Sequence, residues 1–160
     1  MAIRDYDVSD QAAVLAMVDR AWSTVYPEVN AVLGPELARR LHGDDWRQHH
    51  RREVQDALGD PGIRTWVAVE DDAVVGVACG RVVDPNRKIG EVHLVGVDPA
   101  AQSRGIGAAL THCVEDHLAG EGMSVVYIST GGDPGHGRAR GLYTALGYTL
   151  FPSAQFFKAL

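Results

Sequence analysis

The amino-acid sequence predicts an α/β fold with a β-meander at its centre. Apolar residues recur at helical spacing through much of the first 60 residues. Residues 64–97 then hold three runs rich in β-branched residues, each separated from the next by a short turn. Beyond the third run, helical and β-rich segments alternate to the end of the chain. This order of helical and β-rich segments along the chain indicates a sheet flanked by helices.

The first half of the chain begins with a short strand and a helix that ends at Trp22. Two more helices follow, for which Pro35 is suited to a first helical position and Asp44 to a helix cap. A Gly/Pro-rich break over residues 59–62 separates these helices from the first two β-rich runs. Asp71-Asp72 lies between those two runs, which predicts a tight hairpin.

The second half contributes a third strand over residues 89–97 and an apolar helix over residues 105–120. A β-rich run over residues 123–130 predicts a further strand, and a Gly/Pro-rich loop leads from it into a helix over residues 138–147. Residues 148–160 predict two short strands. The expected order is therefore one strand, three helices, three strands, a helix, a strand, a helix and two strands.

Composition limits the functional classes. The 160 residues fit one domain over residues 1–160. The formal net charge of −6 disfavours binding to nucleic acid or to an anionic membrane surface. Cys79 and Cys113 have neither a disulfide pattern nor a metal-ligand spacing, so we expect a reduced, cytoplasmic setting and no metal. No apolar run approaches the roughly 18 residues of a membrane span, and no signal-peptide pattern begins the chain.

The start of the second-half apolar helix has an unusual composition. The segment Gln102–Gly107 places two glycines and Arg104 where a first helical turn usually carries acids, and the first acid of the helix is Glu115. The first N–H groups of a helix lack intrahelical partners and attract anions. The pattern predicts a phosphate-binding loop, and a glycine-rich turn before an ordinary helix is the alternative.

Two common phosphate-binding patterns do not fit this loop. No Gly-Lys-Ser/Thr follows it, and Leu110 stands where the dinucleotide fingerprint needs a third glycine or alanine. The segment Gln102-x-x-Gly105-x-Gly107 resembles instead the acyl-CoA pyrophosphate motif, Q/R-x-x-G-x-G/A, of the GCN5-related N-acetyltransferase (GNAT) family. Residues 136–148 resemble the N-x-x-A-x-x-x-Y-x-x-x-G-F/Y segment of the same family, with His136 in place of the more common asparagine; the matching positions are Ala139, Tyr143, Gly147 and Tyr148.

The resemblance implies a single-domain GNAT fold, with a mixed, mostly antiparallel, twisted sheet of six to seven strands that is flanked by helices and splayed between the fourth and fifth strands. It also implies acetyl transfer from acetyl-CoA to a primary amine of a small molecule or peptide, by direct attack in a ternary complex. The pantetheine arm would lie beside residues 94–97, and the pyrophosphate would bind the N–H groups of residues 103–108. The implied cofactor-binding residues are Leu94, Val95, Gly96, Val97, Gln102, Ser103, Arg104, Gly105, Ile106, Gly107, Ala108, His136, Ala139 and Tyr143.

Tyr143 is the candidate general acid, because its hydroxyl can protonate a departing thiolate; core packing is its alternative role. Glu91 and His93 are candidates for the base that deprotonates the amine, since strand residues two apart share a face. The reaction could also proceed without a protein base. Backbone N–H groups near Val95 or Gly96 would stabilise the oxyanion.

The resemblance implies that the acceptor binds the segment between the first strand and the hairpin. Candidate substrate contacts are Trp22, Tyr26, Glu28 and Trp46, and Trp22 is equally suited to the core face of the first helix. Three alternative functions stay open: a catalytically weak acyl-CoA-binding or sensor module, an O-acetyl or longer-chain acyltransferase, and a nucleotide-binding protein. We expect a monomer or a homodimer.

Overall fold

Helices and strands follow one another in the predicted order as far as the last helix. The computed structural model describes residues 1–160 and contains five α-helices, five strands and three short 3-10 turns. Their bounds are β1 Ala2–Asp5, α1 Gln11–Trp22, α2 Tyr26–His42, α3 Trp46–Gly59, β2 Arg64–Glu70, β3 Ala73–Asp84, β4 Ile89–Val97, α4 Ile106–Gly120, β5 Val125–Tyr127 and α5 Gly137–Ala145.

The strands form one sheet in the order of the chain, β1-β2-β3-β4-β5. The first three pairs are antiparallel and the β4–β5 pair is parallel, so the sheet is mixed and mostly antiparallel, as predicted. The hairpin between β2 and β3 is also confirmed. Asp71 and Asp72 both have positive φ angles, 46° and 60°, which is the conformation of a two-residue type I′ turn.

The fourth and fifth strands separate after a short contact. β5 pairs with β4 only over Ile89–Glu91, and the remaining residues of β4 have no partner on that side. The predicted splay between these strands is therefore confirmed. The strand predicted over residues 123–130 is shorter than expected, because its second half diverges from β4 and cannot complete a ladder.

The predicted number of strands is wrong: the sheet has five rather than six to seven. Residues 148–160 form no regular structure, although two strands are expected there. A strand requires a partner, and β5 offers an edge of only three residues. Pro152 also removes a backbone donor from the segment. Phe151 and Phe156 remain 86% and 94% exposed.

The sheet separates two hydrophobic cores. On one face, α4 packs Leu110, Val114 and Leu118 against Val92 of β4. On the other face, α1 and α3 pack against β2 and β3; this cluster comprises Val14, Met17, Val18, Ala21, Val54, Val67, Val74 and Val77. Burial of both faces accounts for the apolar composition of β2 and β3. None of the helices has the length and apolarity to cross a membrane.

The α2–α3 region contains a kink and a cap. Gly34 has φ 76° and ψ 163°, which interrupts α2 and leaves Pro35 at the start of its second half, as predicted. The predicted cap at Asp44 is wrong. Asp45 caps α3, because it has the extended backbone of a cap residue and its carboxylate accepts a hydrogen bond from the N–H of Arg47.

His50 of α3 is buried between aromatic side chains. Its ring centroid lies 4.6 Å from that of Trp22 and 5.6 Å from that of Tyr26. The Nδ1 atom has no hydrogen-bond partner. Burial lowers the pKa of His50 to about 4. The imidazole is therefore neutral in the folded protein over a range in which an unfolded histidine is protonated.

This difference predicts a loss of stability in acid. Between pH 6.5 and pH 4 the unfolded state binds the proton and the folded state does not, so the free energy of unfolding falls as the pH falls. The contribution of His50 amounts to roughly 3 kcal/mol at pH 4. Urea unfolding at pH 7 and pH 4.5 should show a smaller acid loss in His50→Phe than in the wild type. His112→Gln, at an exposed position of α4, should behave as the wild type. Equal acid losses in all three proteins would contradict the prediction.

Candidate functional site

A cavity of about 390 Å³ lies beside the part of β4 that has no partner on the β5 side. Four segments form its wall: the α1–α2 junction, the end of β4, the loop that leads into α4, and α5 with the turn before it. No aspartate or glutamate lines the cavity, and Arg138 is its only lining arginine or lysine. The cavity therefore favours an anionic ligand.

β4 carries a bulge next to the cavity. On β3, Cys79 pairs with Leu94 and Gly80 pairs with Val92, so His93 is an extra residue without a partner. Side chains alternate along a regular strand, and one inserted residue reverses that alternation. As a result, Val92 lies in the hydrophobic core under α4, while Leu94 packs on the opposite face of the sheet, against the core formed with α1 and α3.

The indole of Trp22 lies directly against the end of β4. A Cβ atom at Gly96 would stand 2.7 Å from Cζ3 of Trp22, so any larger residue would displace the ring. Trp22 and Gly96 both line the cavity. The indole therefore forms its wall where the sheet opens.

The loop before α4 has the backbone geometry of an anion-binding nest. Ser103 and Gly105 adopt positive φ angles of 61° and 81°. Such residues direct successive N–H groups into a concavity. For a residue other than glycine this conformation costs about 1 kcal/mol or more, and strain of this kind often marks a functional loop. No side chain caps α4, which begins at Ile106, so its first N–H groups are free for a ligand.

Polar contacts hold this loop in place. Gln102 donates a hydrogen bond from Nε2 to the carbonyl of Val97, at 3.1 Å, so its amide braces the loop against β4. Asp98 accepts a hydrogen bond from the N–H of Ala100 and forms an ion pair with Arg20 of α1. The loop is thereby tied both to the strand that precedes it and to the first helix.

The two arginines near the loop have different roles. Arg104, which the sequence singles out, forms an ion pair with Glu70 of β2 at 2.8 Å and does not line the cavity. Arg138 of α5 does line the cavity, and its Nη1 donates a hydrogen bond to Oγ of Ser103 at 3.0 Å. Sequence analysis missed Arg138, although it stands inside the second motif, two residues after His136. Of the residues that the resemblance implies in cofactor binding, only Leu94 and Arg104 do not line the cavity.

Tyr143 is buried in the cavity wall, on the same helix as Arg138. Its hydroxyl has no hydrogen-bond partner in the protein, and burial raises its pKa to about 12. The hydroxyl therefore stays protonated near neutral pH and can donate its hydrogen. The ring packs edge-on against Tyr148, with centroids 5.8 Å apart, and Tyr148 donates a hydrogen bond to Glu115 of α4 at 2.6 Å. These contacts fix the position of the Tyr143 ring.

Glu91 and His93 do not line the cavity. The carboxylate of Glu91 accepts a hydrogen bond from Nε of Arg81 at 2.7 Å and lies 3.3 Å from Nδ1 of His93. Regular alternation would place Glu91, His93 and Val95 on one face. Because of the bulge at His93, Glu91 and Val95 lie on opposite faces of the sheet, and only Val95 lines the cavity.

The turn before α5 contains a hydrogen-bonded pair. Nδ1 of His136 lies 2.6 Å from Oδ2 of Asp133, and His136 lines the cavity. Burial alone would raise the pKa of Asp133, but the hydrogen bonds and charge of His136 outweigh it and lower that pKa below its usual value. Arg140 donates hydrogen bonds to the carbonyl groups of Gly131 and Asp133, which holds the turn rigid.

Of the four candidate substrate contacts, Trp22 alone lines this cavity. Tyr26 is stacked on Trp46, with ring centroids 4.4 Å apart. Trp46 borders a second, more open cavity of about 460 Å³ on α2. The Cβ atom of Glu28 lies close to the turn that carries Gly135. The substrate contacts expected at these three positions are therefore not part of this cavity.

Most of the chain matches the model of a single protein family. Residues 33–148 match the model of the acetyltransferase (GNAT) family. The chain is 33% identical to a mycothiol acetyltransferase of Amycolatopsis mediterranei and 42% identical to one of Nocardioides sp., each over 88% of the chain. The chain spans only 43% and 47% of the length of these two relatives.

Solved structures share the fold. PaiA N-acetyltransferase from Thermoplasma acidophilum, in complex with coenzyme A, has a TM-score of 0.70 and 14% identity, with 96% of this chain and 92% of that chain covered. Aminoglycoside N-acetyltransferase AAC(6')-Iy, in complex with CoA, has a TM-score of 0.67 and 15% identity, with 99% and 93% covered.

Two glycines near the cavity predict opposite effects of alanine. Neither Gly105 nor Gly141 has an atom within 4 Å of an added Cβ, so neither change causes a clash. Gly105 has φ 81°, and alanine there should destabilise the protein by about 1 kcal/mol. Gly141 lies inside α5, and alanine there should stabilise the protein by about 0.5–1 kcal/mol. Urea denaturation measures both, and effects of the same sign would contradict the assigned loop geometry.

Proposed function

Because this chain belongs to the GNAT acetyltransferase family, we propose that it binds acetyl-CoA in the cavity beside β4 and transfers the acetyl group to a primary amine. The loop before α4 carries this proposal. It combines the strained backbone of Ser103, the uncapped start of α4 and the guanidinium of Arg138 in a cavity without carboxylates. These groups suit a pyrophosphate.

The chain also offers groups for the other parts of acetyl-CoA. The unpaired edge of β4 near Val95–Val97 presents backbone donors and acceptors beside the cavity, and these suit the amide groups of a pantetheine arm. Bound acetyl-CoA supplies an activated thioester. A backbone N–H in the same stretch, at Val95 or Gly96, would stabilise the oxyanion that forms from its carbonyl group.

Direct transfer between the two substrates is favoured over an acyl-enzyme. Neither cysteine lines the cavity. Cys79 is buried in the sheet, and burial raises the pKa of its thiol to about 12, so it is not a thiolate near neutral pH. Cys113 packs beside the α4 core. We therefore propose attack by the amine in a ternary complex, with Tyr143 donating its hydroxyl hydrogen to the sulfur as the thiolate leaves.

A small-molecule amine is the acceptor class that we favour. The names of the relatives, mycothiol acetyltransferase and aminoglycoside N-acetyltransferase, both refer to small molecules. The alternative is a module that binds acyl-CoA and has lost catalysis; the absence of Glu91 and His93 from the cavity is the observation in its favour.

An acetylation screen tests the proposal. The purified protein is incubated with acetyl-CoA and with polyamines, amino acids, aminoglycosides or short peptides, and free thiol and acetylated product are measured. We expect turnover with at least one small-molecule amine and a larger thermal stabilisation by CoA than by ATP or NAD. CoA binding without turnover on any amine would favour the sensor module. Stronger stabilisation by ATP or NAD would contradict the CoA site itself.

A further inference from the structure

The reaction requires a group that accepts the proton of the amine, and the cavity contains one such group. Its lining residues include no carboxylate. Arg138 is a permanent cation, and the hydroxyl of Tyr143, with a pKa of about 12, is already protonated. Among the remaining lining side chains, His136 alone has a basic ring nitrogen that can accept a proton. The candidates from the sequence, Glu91 and His93, lie outside the cavity.

The hydrogen bond from His136 to Asp133 determines which ring nitrogen is basic. The carboxylate of Asp133 accepts at 2.6 Å from Nδ1, so the neutral ring carries its hydrogen on Nδ1. The lone pair is then on Nε2, which has no hydrogen-bond partner in the protein. A carboxylate behind an imidazole also stabilises the imidazolium that forms when Nε2 takes a proton, as in catalytic histidine–aspartate pairs.

The surroundings keep this pair in position. Oδ1 of Asp133 accepts a second hydrogen bond from the backbone N–H of His136, and Arg140 holds the carbonyl group of Asp133. A Cβ atom at Gly135 would stand 2.8 Å from the carbonyl oxygen of Val25, so the turn is packed closely against the α1–α2 junction.

Charged groups of both signs surround the pair. They are Arg138 and Arg140 on the segment itself and Glu28 on α2, with the Tyr143 hydroxyl two turns further along the helix. None of them hydrogen-bonds to the imidazole, whose side-chain partner is Asp133.

We propose that His136, oriented by Asp133, is the catalytic base of the acetyl transfer. The inference rests on the proposed function. The amine nitrogen forms a C–N bond with the thioester carbonyl carbon and gives a proton to Nε2 of His136. The C–S bond then breaks, and its electron pair stays on sulfur. The proton passes from His136 to sulfur, directly or through the Tyr143 hydroxyl, so the products are an amide and a thiol and the protein is unchanged.

Three variants test the assignment. His136→Asn removes the base and introduces the residue that is commonest at this position of the family motif. Asp133→Asn keeps the imidazole but removes the acceptor that orients it. His112→Asn is the control, since His112 lies on the exposed side of α4, paired with Glu115 and outside the cavity. CoA affinity is measured by calorimetry for each variant.

We expect His136→Asn to lose catalytic rate while it keeps its affinity for CoA. Against the best amine of the screen, kcat of His136→Asn should fall about 100-fold or more. The pH profile of kcat/KM should change, and the Kd for CoA should change less than about threefold. His112→Asn should match the wild type. Nitrogen NMR of the protein without ligand should show His136 with its hydrogen on Nδ1, and this preference should be lost in Asp133→Asn.

Each contrary result has a distinct meaning. If the wild type acetylates an amine and His136→Asn keeps kcat within about threefold and the same pH profile, the base is wrong while the proposed function stands. A hydrogen on Nε2 in the free wild type would also overturn the assignment. If the wild type acetylates no amine, the proposed function fails and the inference fails with it.

Discussion

β4 pairs with β5 over only three residues, and the backbone of β4 beyond Glu91 then lacks a strand on that side. Backbone N–H and C=O groups near a protein interior require partners, so this open edge leaves donors and acceptors of β4 available to a ligand in the cavity. Along this part of β4 lie the bulge at His93 and the contact of Gly96 with Trp22. Because the strand runs directly into the loop before α4, the same feature places an anion-binding nest at the end of the cavity.

The distribution of charge completes the site. The protein has a formal net charge of −6, yet no carboxylate lines the cavity. The nearby acids are engaged elsewhere: Asp98 pairs with Arg20, and Glu70 pairs with Arg104. Arg138 is left facing the nest. A protein that repels polyanions over most of its surface can therefore attract one at this position, because the local arrangement of charges outweighs the total.

Local patterns in the sequence predicted most of the fold and the glycine-containing loop before α4. Turn residues, helical spacing and the paired glycines depend on neighbours in the chain, which the sequence displays. The errors concern interactions between distant segments. The bulge at His93 is set by pairing with β3, so a simple two-residue period placed Glu91 on the wrong face. The two strands expected after residue 148 needed a partner edge that the sheet does not supply. The choice of Arg138 over Arg104 depends on Glu70, which is remote in sequence.

The central claim is that the nest and Arg138 hold the pyrophosphate of an acyl-CoA, and calorimetry with CoA tests it most directly. Arg138→Gln should raise the Kd for CoA about tenfold or more, since a charge-assisted contact contributes roughly 1.5–3 kcal/mol. Arg104→Gln should change it less than about threefold, because that guanidinium is bound to Glu70. Pantetheine, which lacks the pyrophosphate, should bind both variants and the wild type alike. Equal CoA affinities in Arg138→Gln and the wild type, or a larger loss in Arg104→Gln, would contradict the account.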